Sequence, residues 1–299
     1  MTVAAFESEA EIVVGIDGSC ASATAVRWAA HDAALRDRAL RLVHVVPPIV
    51  MPRTPWPELP VAYARCAEER AQHITARAYA SALDAAPQRA SSIATQIVHG
   101  PVVPTLAAMS KQAEMLVVGC LGETAASRAL IGSISSALVH RAHCPIAVIH
   151  GEQRPSPKAP VVVGIDGSEE SALAAAIAFD EASRRDVGLV ALHAWSDMGP
   201  LGFPDFSWAP IDWRDVEEHE EKEFAAFLAP FRDQFPDVPV HPVVVCDGPV
   251  NRLLEQADAA QLIVVGSHGR GGVAGALLGS VSTAVVQSAQ IPVIVARQG

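Results

Sequence analysis

The chain has 299 residues and a formal net charge of −11, with 50% of its residues hydrophobic and 18% charged. That length predicts two domains of ordinary size, each able to bury a core of its own. The acidic balance excludes nucleic acid as a partner, since a phosphate backbone needs a basic footprint, and no apolar run approaches the roughly 18 residues of a membrane span.

The N-terminus "MTVAAFESEAEIVVG" carries acidic and no basic residues before its first apolar run, so it does not read as a secretory signal. The five cysteines are odd in number and include no C-x-x-C pair, which favours free thiols in a reducing cytoplasm. A first strand, "EIVVGI", runs into Asp17-Gly18-Ser19 and then a helical segment, "ASATAVRWAAHDAALRDR". Next come the strand "RLVHVV", an irregular insert with a helix, and the strand "SIATQIV". "HGP" at 99–101 leads to another helix, the strand "EMLVVG", a glycine-spaced loop, a helix from Ser133 and the strand "PIAVIH". These runs are short, apolar and not cleanly alternating, as strands buried on both faces of a parallel sheet should be.

The pattern then starts again. "VVGIDGS" at 13–19 returns at 162–168, "LRLVHVV" answers "LVALHAW", and "CPIAVIH" answers "IPVIVAR". The chain therefore reads as two related domains, 1–150 and 161–299, joined by a linker at 151–160, "GEQRPSPKAP". Each half alternates strands and helices, which predicts an α/β fold of two tandem, five-stranded, doubly wound parallel sheets of Rossmann-like type. Such sheets take ligands beyond the carboxyl ends of their strands, where the winding reverses.

Both glycine loops follow a fourth strand, and both fit one spacing, G-x2-G-x9-G-S: Gly119, Gly122, Gly132, Ser133 and Gly266, Gly269, Gly279, Ser280. A dinucleotide fingerprint belongs after the first strand, where "GIDGS" does not fit it. A Walker A loop needs Gly-Lys, which Lys111, Lys158 and Lys222 do not provide. Two readings remain. One is an anion site made from backbone N–H groups and a helix N-terminus; the other is a tight turn with an N-cap serine.

The doubled G-x2-G-x9-G-S, the Asp ending each first strand (Asp17, Asp166) and the stretch "SISSALVHRAHCP" at 133–145 resemble the universal stress protein family, in its tandem form. The resemblance covers nearly the whole chain. It implies ATP as ligand, with or without Mg2+, and places Gly15, Ile16, Asp17 and Gly164, Ile165, Asp166 against the nucleoside. Around the phosphates it implies Gly119, Cys120, Leu121, Gly122, Glu123, Gly132, Ser133, Ile134 and Ser135 in the first half. The second half supplies Gly266, Ser267, His268, Gly269, Arg270, Gly271, Gly279, Ser280, Val281 and Ser282.

The halves differ. Arg270 offers the second loop a cation where the first has Glu123, a carboxylate that repels phosphate, although Arg128 lies further along the first loop. Asp197, after the second half's second strand, is placed to accept a ribose hydroxyl; the first half has Pro48 there. His268 has no carboxylate spaced to orient it, Cys120 reads as an inert thiol, and His44 and His193 read as packed histidines. The acidic run "DVEEHEEKEF" reads as a solvated helix face. With no evident nucleophile, base or metal-ligand cluster, the expectation is an ATP-binding regulator of stress response, growth or dormancy. It is expected to be a homodimer, with a further protein partner unidentified. The alternatives are a slow ATPase or phosphotransferase, and a dimerisation module with vestigial loops.

Overall fold

The structure is a computed structural model that describes residues 11–48, 59–121, 131–151, 156–195, 213–269 and 278–297. The chain divides into two compact units, one built on residues 1–153 and the other on 154–296.

In the first unit β1 (Glu11–Gly15), α1 (Cys20–Arg36), β2 (Leu40–Val46), α2 (Leu59–Ala85), β3 (Ile93–His99), α3 (Val102–Met109), β4 (Ala113–Gly119), α4 (Ser133–Arg141) and β5 (Ile146–Ile149) follow one another. Its strands lie in the order β3-β2-β1-β4-β5, all parallel. The second unit repeats the plan with β6 (Val161–Gly164), α5 (Glu169–Arg185), β7 (Leu189–Trp195), α6 (Trp213–Gln234), β8 (Val240–Cys246), α7 (Pro249–Ala257), β9 (Leu262–Gly266), α8 (Ser280–Ser288) and β10 (Val293–Ala296). Its order is β8-β7-β6-β9-β10, again all parallel. The doubly wound, five-stranded expectation therefore holds in both units.

Local chemistry sets the elements. Ser19 and Ser168 are N-caps whose hydroxyl oxygens accept from the N–H of Ser22 at 3.0 Å and of Ser171 at 3.2 Å. Both helices stop at an aspartate in the left-handed region, Asp37 at φ 55° and Asp186 at φ 53°, a conformation Asp tolerates better than most residues. The inner strands are buried along most of their length, and end to end in "LIVVG" of β9, while the edge strand β8 accommodates Pro242. Right-handed crossovers put α1 and α2 on one face of the first sheet and α3 and α4 on the other, and the helices touch in those pairs. Fully buried Ile12, Leu42, Leu116 and Ile146 lie at the centre of that sandwich, each worth about 1.5–3 kcal/mol of transfer free energy.

The winding reverses between β1 and β4 in the first unit and between β6 and β9 in the second. At each reversal neighbouring crossovers leave in opposite directions, opening a crevice above the strand ends. Among the described residues no helix is long and apolar enough to cross a membrane.

Candidate functional site

The lower wall of each crevice is the turn after the first strand. Ile16 still pairs, its N–H donating to Val43 O at 2.9 Å, and its own carbonyl accepts from His44 Nδ1 at 2.8 Å. The chain then leaves the sheet at Asp17, where Gly18 takes φ 89°, and Asp17 Oδ1 accepts the Ser19 N–H at 2.9 Å. The second unit repeats this closely. Ile165 N–H donates to Leu192 O at 2.9 Å, His193 Nδ1 to Ile165 O at 2.8 Å, and Gly167 has φ 80°. Asp166 Oδ1 accepts both the N–H and the hydroxyl of Ser168, at 3.0 and 2.6 Å. Each aspartate thus spends one carboxylate oxygen on its own turn, which fixes where the other oxygen points.

The two histidines are satisfied, as the sequence suggests, and they brace the turn that presents the aspartate. His193 is additionally stacked on Phe224 with ring centroids 5.4 Å apart, and its Nε2 lies 3.2 Å from Glu220 Oε2. Glu220 therefore leaves the solvated face expected of the acidic run, because α6 turns it toward β7 together with buried Phe224 and Leu228.

The upper wall is the loop after the fourth strand. At Gly119 a Cβ would lie 2.7 Å from the carbonyl carbon of Ala21, and at Gly266 3.1 Å from that of Glu170. The first glycine of the motif is thus what lets the opening turn of α1, or of α5, lie against the strand end. The neck of the loop is tied by a backbone bond, Gly132 N–H to Cys120 O at 2.6 Å and Gly279 N–H to Ser267 O at 2.7 Å. A hydroxyl ties it a second time, Ser135 Oγ to Gly119 O at 2.6 Å and Ser282 Oγ to Gly266 O at 2.5 Å. Ser135 and Ser282 are buried, while Ser133 and Ser280 are exposed at the helix start. The N-caps of α4 and α8 are Gly132 and Gly279, without a side-chain cap, so the first-turn N–H groups there are left for another acceptor.

One contact joins the two walls. A Cβ on Gly269 would collide with Asp166 Oδ2, so the second glycine of the motif sits directly over the carboxylate that ends the first strand. His268, half-buried beside it, has its Nδ1 3.2 Å from Ser267 Oγ. Gly122, Glu123, Arg128, Asp197, Arg270 and Gly271 lie outside the described residues.

Cys120, at the start of the first loop, is buried, and burial pushes its thiol up. Cys144 is pushed up to about 12, also by burial. A raised thiol pKa stabilises the fold below the ordinary value of 9.0, and that contribution is lost as the pH rises from there toward about 12. Cys20, Cys66 and Cys246 are exposed. At pH 8 a thiol reagent is expected to label these three at least ~10-fold faster than Cys120 and Cys144, and all five alike in denaturant, as peptide mapping would read out. Equal native rates would contradict the packing described.

A model for the Universal stress protein family matches residues 10–150 and 159–297. A universal stress protein of Mycobacterium tuberculosis is 55% identical over 302 residues, 96% of this chain and 94% of the relative. A second from that organism is 47% identical over 291 residues, 96% and 97% of the two chains. The crystal structure of a universal stress protein from Archaeoglobus fulgidus superposes with a TM-score of 0.67 over 97% of this chain and 96% of the other, at 19% identity.

Proposed function

This chain belongs to the universal stress protein family, and from that premise we propose that each unit binds ATP, with or without Mg2+, across its strand-end crevice. The observation that carries the reading is the meeting of Asp166 with Gly269 at the reversal point, beside the uncapped N-terminus of α8. A carboxylate oxygen aimed at the crevice accepts from ribose hydroxyls or an adenine amine, and a helix N-terminus with its dipole accepts phosphate.

In this reading Gly15, Ile16, Asp17 and Gly164, Ile165, Asp166 hold the nucleoside. The N–H groups of Ser133, Ile134, Ser280 and Val281, the exposed hydroxyls of Ser133 and Ser280, and the loop backbones hold the phosphates. Gly119, Gly266, Ser135 and Ser282 act one layer back, by keeping the loop necks closed. ATP occupancy then serves as a signal: the chain acts as a cytoplasmic, homodimeric regulator of stress response, growth or dormancy rather than as a catalyst. Residues 1–150 and 161–299 are its two binding domains and 151–160 the linker.

Native mass spectrometry of the purified protein, followed by identification of the small molecule released on denaturation, tests this. The double variant Asp17→Asn, Asp166→Asn keeps an acceptor for the Ser19 and Ser168 N–H groups but turns an amide donor toward the ligand's donors. ATP affinity is expected to fall by about 1–3 kcal/mol with the fold intact. Unchanged affinity in a folded double variant would refute the assignment, and conversion of bound ATP to ADP within minutes would favour the enzyme reading.

A further inference from the structure

The first unit also contains a groove between α1 and α2, a cavity of about 370 Å³ running down from Asp17. Its floor is apolar and small: Ala23, Val26, Ile74 and Ala78. Its rim is cationic. Arg70, His73 and Arg77 stand at i, i+3 and i+7 on α2, which puts them on one face of that helix. Arg27 faces them from α1, its Nη2 donating to Thr24 Oγ1 at 3.0 Å. Among the described residues, the one carboxylate lining the groove is Asp17, at the top, where its Oδ1 already accepts the Ser19 N–H.

Three guanidiniums around one concavity run against a chain whose net charge is −11. Like-signed charges lining a low-dielectric cleft focus their field on its contents, so the groove concentrates anions. Among the described residues neither Arg77 nor His73 is held in an ion pair. Among the described residues of the second unit, counted from the N-caps Ser19 and Ser168, Arg27 is matched by Ala176, and α6 carries Glu217, Glu218, Glu220, Glu221 and Glu223. The cavity falls within the size of small-molecule sites, about 300–1,000 Å³.

We infer that this groove is a second ligand site, which takes a small organic phosphate. The phosphate meets Arg27 and Arg77, whose forked donors match its oxygens. The carbon skeleton lies on the apolar floor, and a hydroxyl at the far end donates to Asp17. The site shares Asp17 with the first unit's crevice, while its arginines lie outside that crevice.

The test titrates glycerol 3-phosphate, inorganic phosphate and succinate into the intact chain by calorimetry, with ATP binding measured in parallel. Wild type is expected to bind glycerol 3-phosphate saturably at one site, more tightly than inorganic phosphate. Arg77→Glu, alone and combined with Arg27→Gln, is expected to weaken it at least ~10-fold, about 1.4 kcal/mol by the affinity relation. Both variants should retain wild-type ATP stoichiometry, because Arg77 is exposed and neither residue belongs to the crevice. The inference is overturned if glycerol 3-phosphate binds unchanged in Arg77→Glu, in which case it occupies the glycine loops, or if succinate binds as tightly, in which case the site does not select phosphate.

Discussion

Glu181→Ala is expected to lower the unfolding free energy of the second unit by about 3–5 kcal/mol, the usual cost of removing one partner from a buried ion pair. Glu181 is 0% exposed, and its Oε2 lies 2.9 Å from Arg185 Nε, whose side chain is 6% exposed. The pair spans one turn of α5, the helix that packs on β6, β7, β9 and β10, so losing its carboxylate disturbs the centre of the unit. The double replacement Glu181→Leu, Arg185→Met is expected to recover most of the loss, since a buried pair contributes little net stability over apolar groups of similar volume. At the matching place in the first unit Arg36 bonds both Asp32, at 2.7 Å, and Glu114, at 2.9 Å, so Asp32→Ala leaves it a carboxylate. Urea unfolding followed by circular dichroism measures the loss, and one under about 1 kcal/mol for Glu181→Ala would mean that water reaches Arg185.

Gly269→Val should remove nucleotide binding from the second unit while barely altering its stability. The new Cβ collides with Asp166 Oδ2, a side-chain atom at the strand end rather than backbone, so the carboxylate must turn aside while the sheet beneath it is unchanged. Both consequences fall on the crevice: the aspartate no longer points into it, and the loop carries branched bulk where a triphosphate must approach backbone. Affinity of that unit is expected to fall at least ~100-fold, about 2.7 kcal/mol, with stoichiometry dropping from two to one. Gly269→Ala carries the same Cβ and should reproduce most of the loss. Calorimetry decides it; ATP bound at wild-type affinity and stoichiometry would leave the loop as a turn and remove the nucleotide reading of the second unit.

Much of this was legible in the chain. The return of "VVGIDGS" and the unalternating apolar runs state the tandem and the parallel sheets, because periodicity and β-propensity act within a few residues of one another, whereas the N-cap serine read into each glycine loop gives way to Gly132 and Gly279. The glycine spacing likewise places a side-chain-free loop at a strand's carboxyl end. Where Arg270 and Asp197 stand relative to the crevice lies outside the described residues.

The work done by each glycine, however, was a matter for the tertiary structure. Gly119 and Gly266 look like loop residues in the sequence, yet the Cβ they lack is excluded by the helix turns at Ala21 and Glu170; Gly269 is shaped by Asp166, from the other end of the unit. Ser135 and Ser282, which sit in the motif beside exposed Ser133 and Ser280, turn inward to hold strand-end carbonyls. Arg27 and Arg77 become neighbours only when α1 and α2 pack side by side. A missing side chain records that something approaches closely, and a lone arginine records only a charge. What approaches, and which charges share a cavity, follows from strand order and helix packing, which bring together residues that no local pattern connects.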